Sequence, residues 1–77
     1  MNNFKIVVVD DEPTIANTVC KILRDAGYPA FAAYDAEGAI MLLRHHSAAV
    51  LISDVNMPGL SGIELAQQVS REMPAVT

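Results

Sequence analysis

The chain reads as an α/β domain built on a parallel, doubly wound sheet, with element order βαβαβα and strand order 2-1-3. Three observations predict this. Residues 4–9 and 48–53 are apolar at almost every position, and each run ends on a carboxylate. Strands apolar throughout are covered on both faces, as parallel strands are. Between and after the strand candidates, apolar residues recur at helical spacing, and each such segment has its own start and stop signals. Strands alternating with helices in this way imply right-handed crossovers within one sheet.

Each element can be justified in turn. Residues 4–9 make the first strand, which delivers Asp10, Asp11 and Glu12 to its end. Pro13 falls where a helix begins, and Ile15, Val19, Ile22, Leu23 and Ala26 continue it until Gly27. Residues 29–34 predict a second strand despite alanines of poor β propensity. Asp35 caps a second helix through Ala36, Ala39, Ile40 and Leu43, with His45, His46 and Ser47 as its exit. Residues 48–53 repeat the buried-strand pattern and run into Asp54. Asn56, Pro58 and Gly59 then mark a loop. Ser61 and Glu64 have capping-box spacing and open a third helix carrying Ile63, Leu65, Ala66 and Val69, which Pro74 closes.

With 77 residues, 52% hydrophobic and 18% charged, the chain has room for one soluble globular domain. Surface scaling leaves such a small domain little stability to spare, so a partner or second copy is expected to support it. A net charge of −4 is the wrong sign for a nucleic-acid surface or an anionic membrane and favours a cationic partner. The lone Cys20 cannot close an internal disulfide, and the aliphatic run is too short for a signal segment or membrane span. These features predict a cytoplasmic chain.

In strand order 2-1-3 the first and third strands are neighbours, and the crossover direction changes between them. Their carboxyl ends therefore flank a crevice. Asp10, Asp11 and Asp54 converge there. Like charges so gathered repel unless a cation is bound, and hard oxygen donors suit Mg2+. A carboxylate beside a bound cation can attack phosphorus and become an aspartyl phosphate. Acids at strand ends also serve as caps or solvated groups, which is the reading for Glu12 and Asp35. For Asp10 and Asp11, the third acid, Asp54, at the switch point tips the balance towards chemistry.

The stretches "KIVVVDDEPT" and "AVLISDVNMPGLSGIEL" closely resemble the receiver domain of bacterial two-component response regulators, a flavodoxin-like fold. Acidic pair, strand-end Asp, Met-Pro, Gly and helix start all match in order. The resemblance implies that Asp54 is the phosphoacceptor. It also implies that Asp11, Asp54 and the backbone carbonyl of Asn56 hold Mg2+, with Asp10 binding mainly through water. Met57, Pro58 and Gly59 would shape the active-site loop, Pro58 by restricting the backbone and Gly59 by permitting a positive φ. Gly62 matches the Gly that starts the third helix. The implied phosphodonor is a sensor histidine kinase, and the module is a switch rather than a turnover enzyme.

A complete receiver has five βα units in strand order 2-1-3-4-5. It also carries a Ser or Thr after strand four and a Lys after strand five, both reaching the phosphoryl oxygens. This chain supplies three units and reaches "PAVT" where a fourth strand would begin. Lys5 and Lys21 are its only lysines, and both precede Asp54. Residues 1–77 are therefore read as the N-terminal part of a single receiver domain, with no candidates for those two later groups. Lack of a fourth strand predicts a bare apolar edge on the third, and hence a homodimer joined there antiparallel across a two-fold axis.

Two competing readings come from other classes. Asp10, Glu12 and Thr14 loosely imitate a phosphohydrolase with Asp10 as nucleophile, although that motif wants Asp in the second place. A receiver-like assembly module without phosphorylation is the other. His45 and His46 point about 100° apart on a helix, so they read as solvated groups near its C-terminal dipole rather than a shared metal site. Cys20 reads as a small, partly buried side chain, and Lys21, Arg24 and Arg44 as solvated helix faces.

Overall fold

In a computed structural model, which describes residues 4–54, 59 and 61–77, the aliphatic run condenses into a central strand, β1 (Ile6–Val9). It pairs in parallel with β2 (Ala30–Ala33) on one side and β3 (Val50–Ser53) on the other, so the sheet order is β2-β1-β3. In register, Ile6 lies opposite Ala30 and Val50, and Val9 opposite Ala33 and Ser53.

Strand alternation divides β1 between two half-cores. Val7 and Val9 meet Leu43 of α2 (Ala36–His46) and Leu65 and Val69 of α3 (Gly62–Glu72). Ile6 and Val8 meet Ala16 and Cys20 of α1 (Pro13–Asp25) on the opposite face. Burial of each large aliphatic side chain here is worth about 1.5–3 kcal/mol. The alanines that weaken β2 as a strand have a use in this packing: Ala30 stands against Ala16 and Cys20, and Ala33 against Ala39.

The helix ends follow the sequence signals. Asp35 Oδ1 accepts the Gly38 amide at 2.7 Å, and a Cβ on Gly38 would stand 3.0 Å from that oxygen. A side chain at this position would thus crowd the cap. Ser61 Oγ accepts the Glu64 amide at 3.2 Å while Glu64 Oε1 accepts the Ser61 amide at 3.3 Å, completing the capping box. Gly27, at φ 99°, takes the left-handed turn after α1. Ser47 closes α2 in the same region at φ 50°, with Ala48 N–H bonded back to the Leu43 carbonyl.

Several expectations need correction. β3 is not buried on both faces: Ile52 is 41% exposed and its neighbours are half-buried. The cause lies in how α1 is held. Arg24 Nε donates to the Ala30 carbonyl at 2.8 Å, and the Tyr34 hydroxyl donates to Asn17 Oδ1 at 2.7 Å, so α1 leans over β2. Arg24 is therefore a clamp on the outer edge of β2 rather than a solvated group. Ile15 and Ile22 each precede one of these anchors by two residues, about 200° round the helix. They are left 45% and 62% exposed.

Nor is the outer edge of β3 bare along its length. Thr77 donates to the Ala49 carbonyl at 2.8 Å and accepts from the Leu51 amide at 2.9 Å. Bonds from one residue to two positions on its neighbour are the parallel pattern, so Thr77 meets β3 as a parallel partner does. The Ser53 end of the edge lies beyond this contact. His46 is not solvated but stacks on Phe31, and Cys20 is fully rather than partly buried. Burial pushes the Cys20 thiol up, against a smaller opposing pull from Arg24, so it is inert packing. No helix among the described residues is long and apolar enough to cross a membrane.

Candidate functional site

Sheet hydrogen bonding carries the backbone of two acids past the strand ends. The Asp10 amide donates to the Ala33 carbonyl at 3.2 Å, and the Asp54 amide donates to the Val9 carbonyl at 3.1 Å. The residue after β1 and the residue after β3 are thus tied to neighbouring strands, which fixes where their side chains start. Asp10 is fixed further, because its Oδ1 accepts the Glu12 amide at 2.9 Å. That contact is an Asx-turn, and it bends the chain off β1 towards Pro13 at the start of α1.

The result is a cluster in which Asp10, Asp11 and Asp54 each offer a carboxylate oxygen within 4.8 Å of the other two. Asp10 and Asp54 are half-buried and Asp11 is exposed. Ion pairs Lys21 to Asp25 at 3.2 Å and Arg44 to Glu72 at 2.7 Å engage other acids. Oxygens bound about 2.1 Å from one Mg2+ lie at most about 4.2 Å apart, so the observed cluster is close to that span. Its donor set is hard, anionic and partly open to water, which fits an ion that retains several waters.

The structure brings together Asp10, Asp11 and Asp54, as the strand order requires. Gly59 has the expected positive φ, at 76°, and Gly62 is the first residue of α3. Asn56, Met57 and Pro58, expected to supply a carbonyl ligand and shape the loop, lie outside the described residues. Glu12 occupies the cap position of α1 without a side-chain cap bond, so its part here is its backbone amide. That contact went unread in the sequence, although an Asp two residues before a helix cap is an Asx-turn signal. His45 and His46 belong to no metal-competent cluster among the described residues.

A doubly wound α/β domain with carboxylates from two adjacent strand ends at its switch point defines a class: open α/β domains with an acidic crevice where ligands of such sheets bind. The comparisons narrow it. A family model described as the response regulator receiver domain matches residues 6–77, and the chain belongs to that family. Among similar solved structures is the chemotaxis protein CheY4 of Vibrio cholerae, 35% identical with a TM-score of 0.86, covering 92% of this chain and 59% of that one. A response regulator receiver domain protein from Clostridium thermocellum is 28% identical with a TM-score of 0.88, covering 96% of this chain and 60% of that one. The response regulator protein TrrA of Thermotoga maritima, solved in complex with Mg(2+)-BeF, is 32% identical with a TM-score of 0.84. That match covers 92% of this chain and 62% of TrrA. The chain thus spans about three-fifths of the solved structures it resembles.

Proposed function

We propose that this chain is the acidic-pocket part of a receiver module, in which Asp54 accepts a phosphoryl group from a sensor histidine kinase with Mg2+ held by Asp10, Asp11 and Asp54. The observation that carries the reading is the three-carboxylate cluster at the β1/β3 switch point. One Asp54 oxygen bonds to phosphorus as the bond from phosphorus to the donor nitrogen breaks, and the released imidazole keeps the electron pair. When bound, Mg2+ supplies charge neutralisation for the phosphoryl oxygens. Asp11 and Asp10 hold that charge in place, and the backbone bond from Asp54 to Val9 keeps the acceptor at the strand end. Asn56 is proposed to add its backbone carbonyl, and Met57, Pro58 and Gly59 to shape the adjoining loop. The module acts as a cytoplasmic switch and not as a turnover enzyme.

Small-molecule phosphodonor treatment followed by mass mapping tests this directly. Label on Asp54, dependent on Mg2+ and abolished in Asp54→Asn, is the expected result. Label on Asp10 instead points to the phosphohydrolase reading. No label and no response to Mg2+ leave an assembly role.

Self-association has a narrower surface than the sequence suggests. We propose a weak homodimer through the Ser53 end of β3, where Ile52 is 41% exposed. Sedimentation equilibrium at several concentrations is the measurement, and one constant monomer mass would exclude it.

A further inference from the structure

β2 is the outermost strand on its side of the sheet, and part of its outer edge has no partner. The Ile6 amide donates to the Pro29 carbonyl and the Asp10 amide to the Ala33 carbonyl, so the odd-numbered residues along β2 turn their polar groups towards β1. In a parallel ladder the even-numbered residues then turn theirs outward. At Ala30 the outward carbonyl is taken by Arg24 Nε at 2.8 Å. Among the described residues, no hydrogen bond reaches the outward N–H and C=O of Ala32 or the N–H of Tyr34. Between this edge and α2 runs a groove of about 350 Å³, whose lining includes Ala32, Tyr34, Asp35, Met41 and Leu42.

We propose that this edge takes up a short extended peptide segment of a partner protein, antiparallel to β2, with an aliphatic side chain in the groove and a basic residue at its mouth. An unused N–H and C=O on one edge residue are the donor and acceptor that an incoming strand exchanges, and antiparallel pairing is the more stable per residue. Alternation then puts every second side chain of the segment on the α2 side, against Leu42 and against Met41, which is 71% exposed. Charge decides what flanks it. Asp35 lines the groove just past the carboxyl end of β2, and Glu37 stands one helical turn before Met41. Among the described residues, neither carboxylate has a cation within ion-pair distance, whereas Asp25 and Glu72 do. A lysine or arginine of the segment complements that pair. Arg24, seated on the Ala30 carbonyl, confines the contact to the carboxyl half of β2 and keeps the segment short.

This surface is separate from the acid pocket, though only one strand away. The Ala33 carbonyl, on the inner side of β2, holds the Asp10 amide at 3.2 Å. A strand added on the outer side leaves that bond in place, so occupation of the groove and phosphorylation can be measured apart.

The test is an amide NMR titration of the isotopically labelled 77-residue chain with a short capped peptide in which two lysines precede alternating valine and threonine. Saturable shifts are expected at the amides of Ala32 and Tyr34 and at the Met41 methyl group. N-methylating the peptide residue that faces Ala32 removes the donor to its carbonyl and should weaken binding about tenfold. Glu37→Gln should weaken it about two- to fivefold, and less at high salt. The proposal is overturned if millimolar peptide leaves Ala32 and Tyr34 unmoved, if the shifts centre on another surface, or if the N-methylated peptide binds as well as its parent. Concentration-dependent shifts at the same amides without peptide would also overturn it, by giving the edge to a second copy of the chain. The N-methylated peptide needs no variant, so it decides the question even if Glu37→Gln folds poorly. None of these measurements depends on phosphorylation of Asp54.

Discussion

Neutralising Asp11 should make the metal-free protein more stable and its response to Mg2+ weaker. Two unit charges at the outer limit of the cluster, 4.8 Å, repel by about 0.9 kcal/mol in water and about 3.5 kcal/mol at an effective dielectric of about 20. Asp11 is exposed, so the aqueous figure governs and salt reduces it further. Asp11→Asn removes two such pairs and should gain about 1–2 kcal/mol, provided that the amide keeps the carboxylate's shape. Asp10 is the wrong residue for this test because its carboxylate also secures the Glu12 amide. In urea with a chelator present, the unfolding midpoint should rise by about 1 M, taking a slope of about 1–2 kcal/mol/M for a domain of this size. Mg2+ at about 100 times its dissociation constant should stabilise the wild type by about 2.7 kcal/mol, and roughly half that if the variant binds tenfold more weakly. A chelated variant that unfolds no later than wild type, or a Mg2+ shift that survives intact, would refute the electrostatic account of the pocket.

Two further predictions concern stability alone. Leu65 is fully buried between the sheet and α3, so Leu65→Ala should cost about 2–5 kcal/mol and consume much of the stability of so small a domain; a urea midpoint within experimental error of wild type would contradict the packing described. Ser47 sits at φ 50°, a region that costs a non-glycine residue about 1–2 kcal/mol, and glycine loses part of that gain to chain entropy. Ser47→Gly should therefore raise the melting temperature by about 2–4 °C by calorimetry, and an unchanged or lower value would count against the assigned turn.

Elements governed by neighbours in sequence were legible because their signals are complete within one turn. Asp35 with Gly38 and Ser61 with Glu64 are such cases, and both bonds form as their spacing requires. The acidic cluster was legible for a different reason. Once three apolar strands are joined by right-handed crossovers, the order 2-1-3 leaves little freedom in where Asp10, Asp11 and Asp54 end up. Strand limits were less sharp: β3 begins at Val50 rather than at residue 48, although Ala49 already bonds to Lys5. Alanine and valine alike continue an apolar run, and only the ladder decides where pairing starts.

By itself, then, the sequence determined the succession of strands and helices, their caps and the meeting of three acids, since these depend on local hydrogen bonds and on the handedness of the chain. Only the tertiary structure decided that Arg24 clamps the rim of β2, that His46 lies on Phe31 and that Thr77 closes part of the β3 edge. A long side chain or a terminal residue has many partners of similar local energy. Which one it takes is settled by the packing of elements distant in sequence, and no short window of residues contains that information.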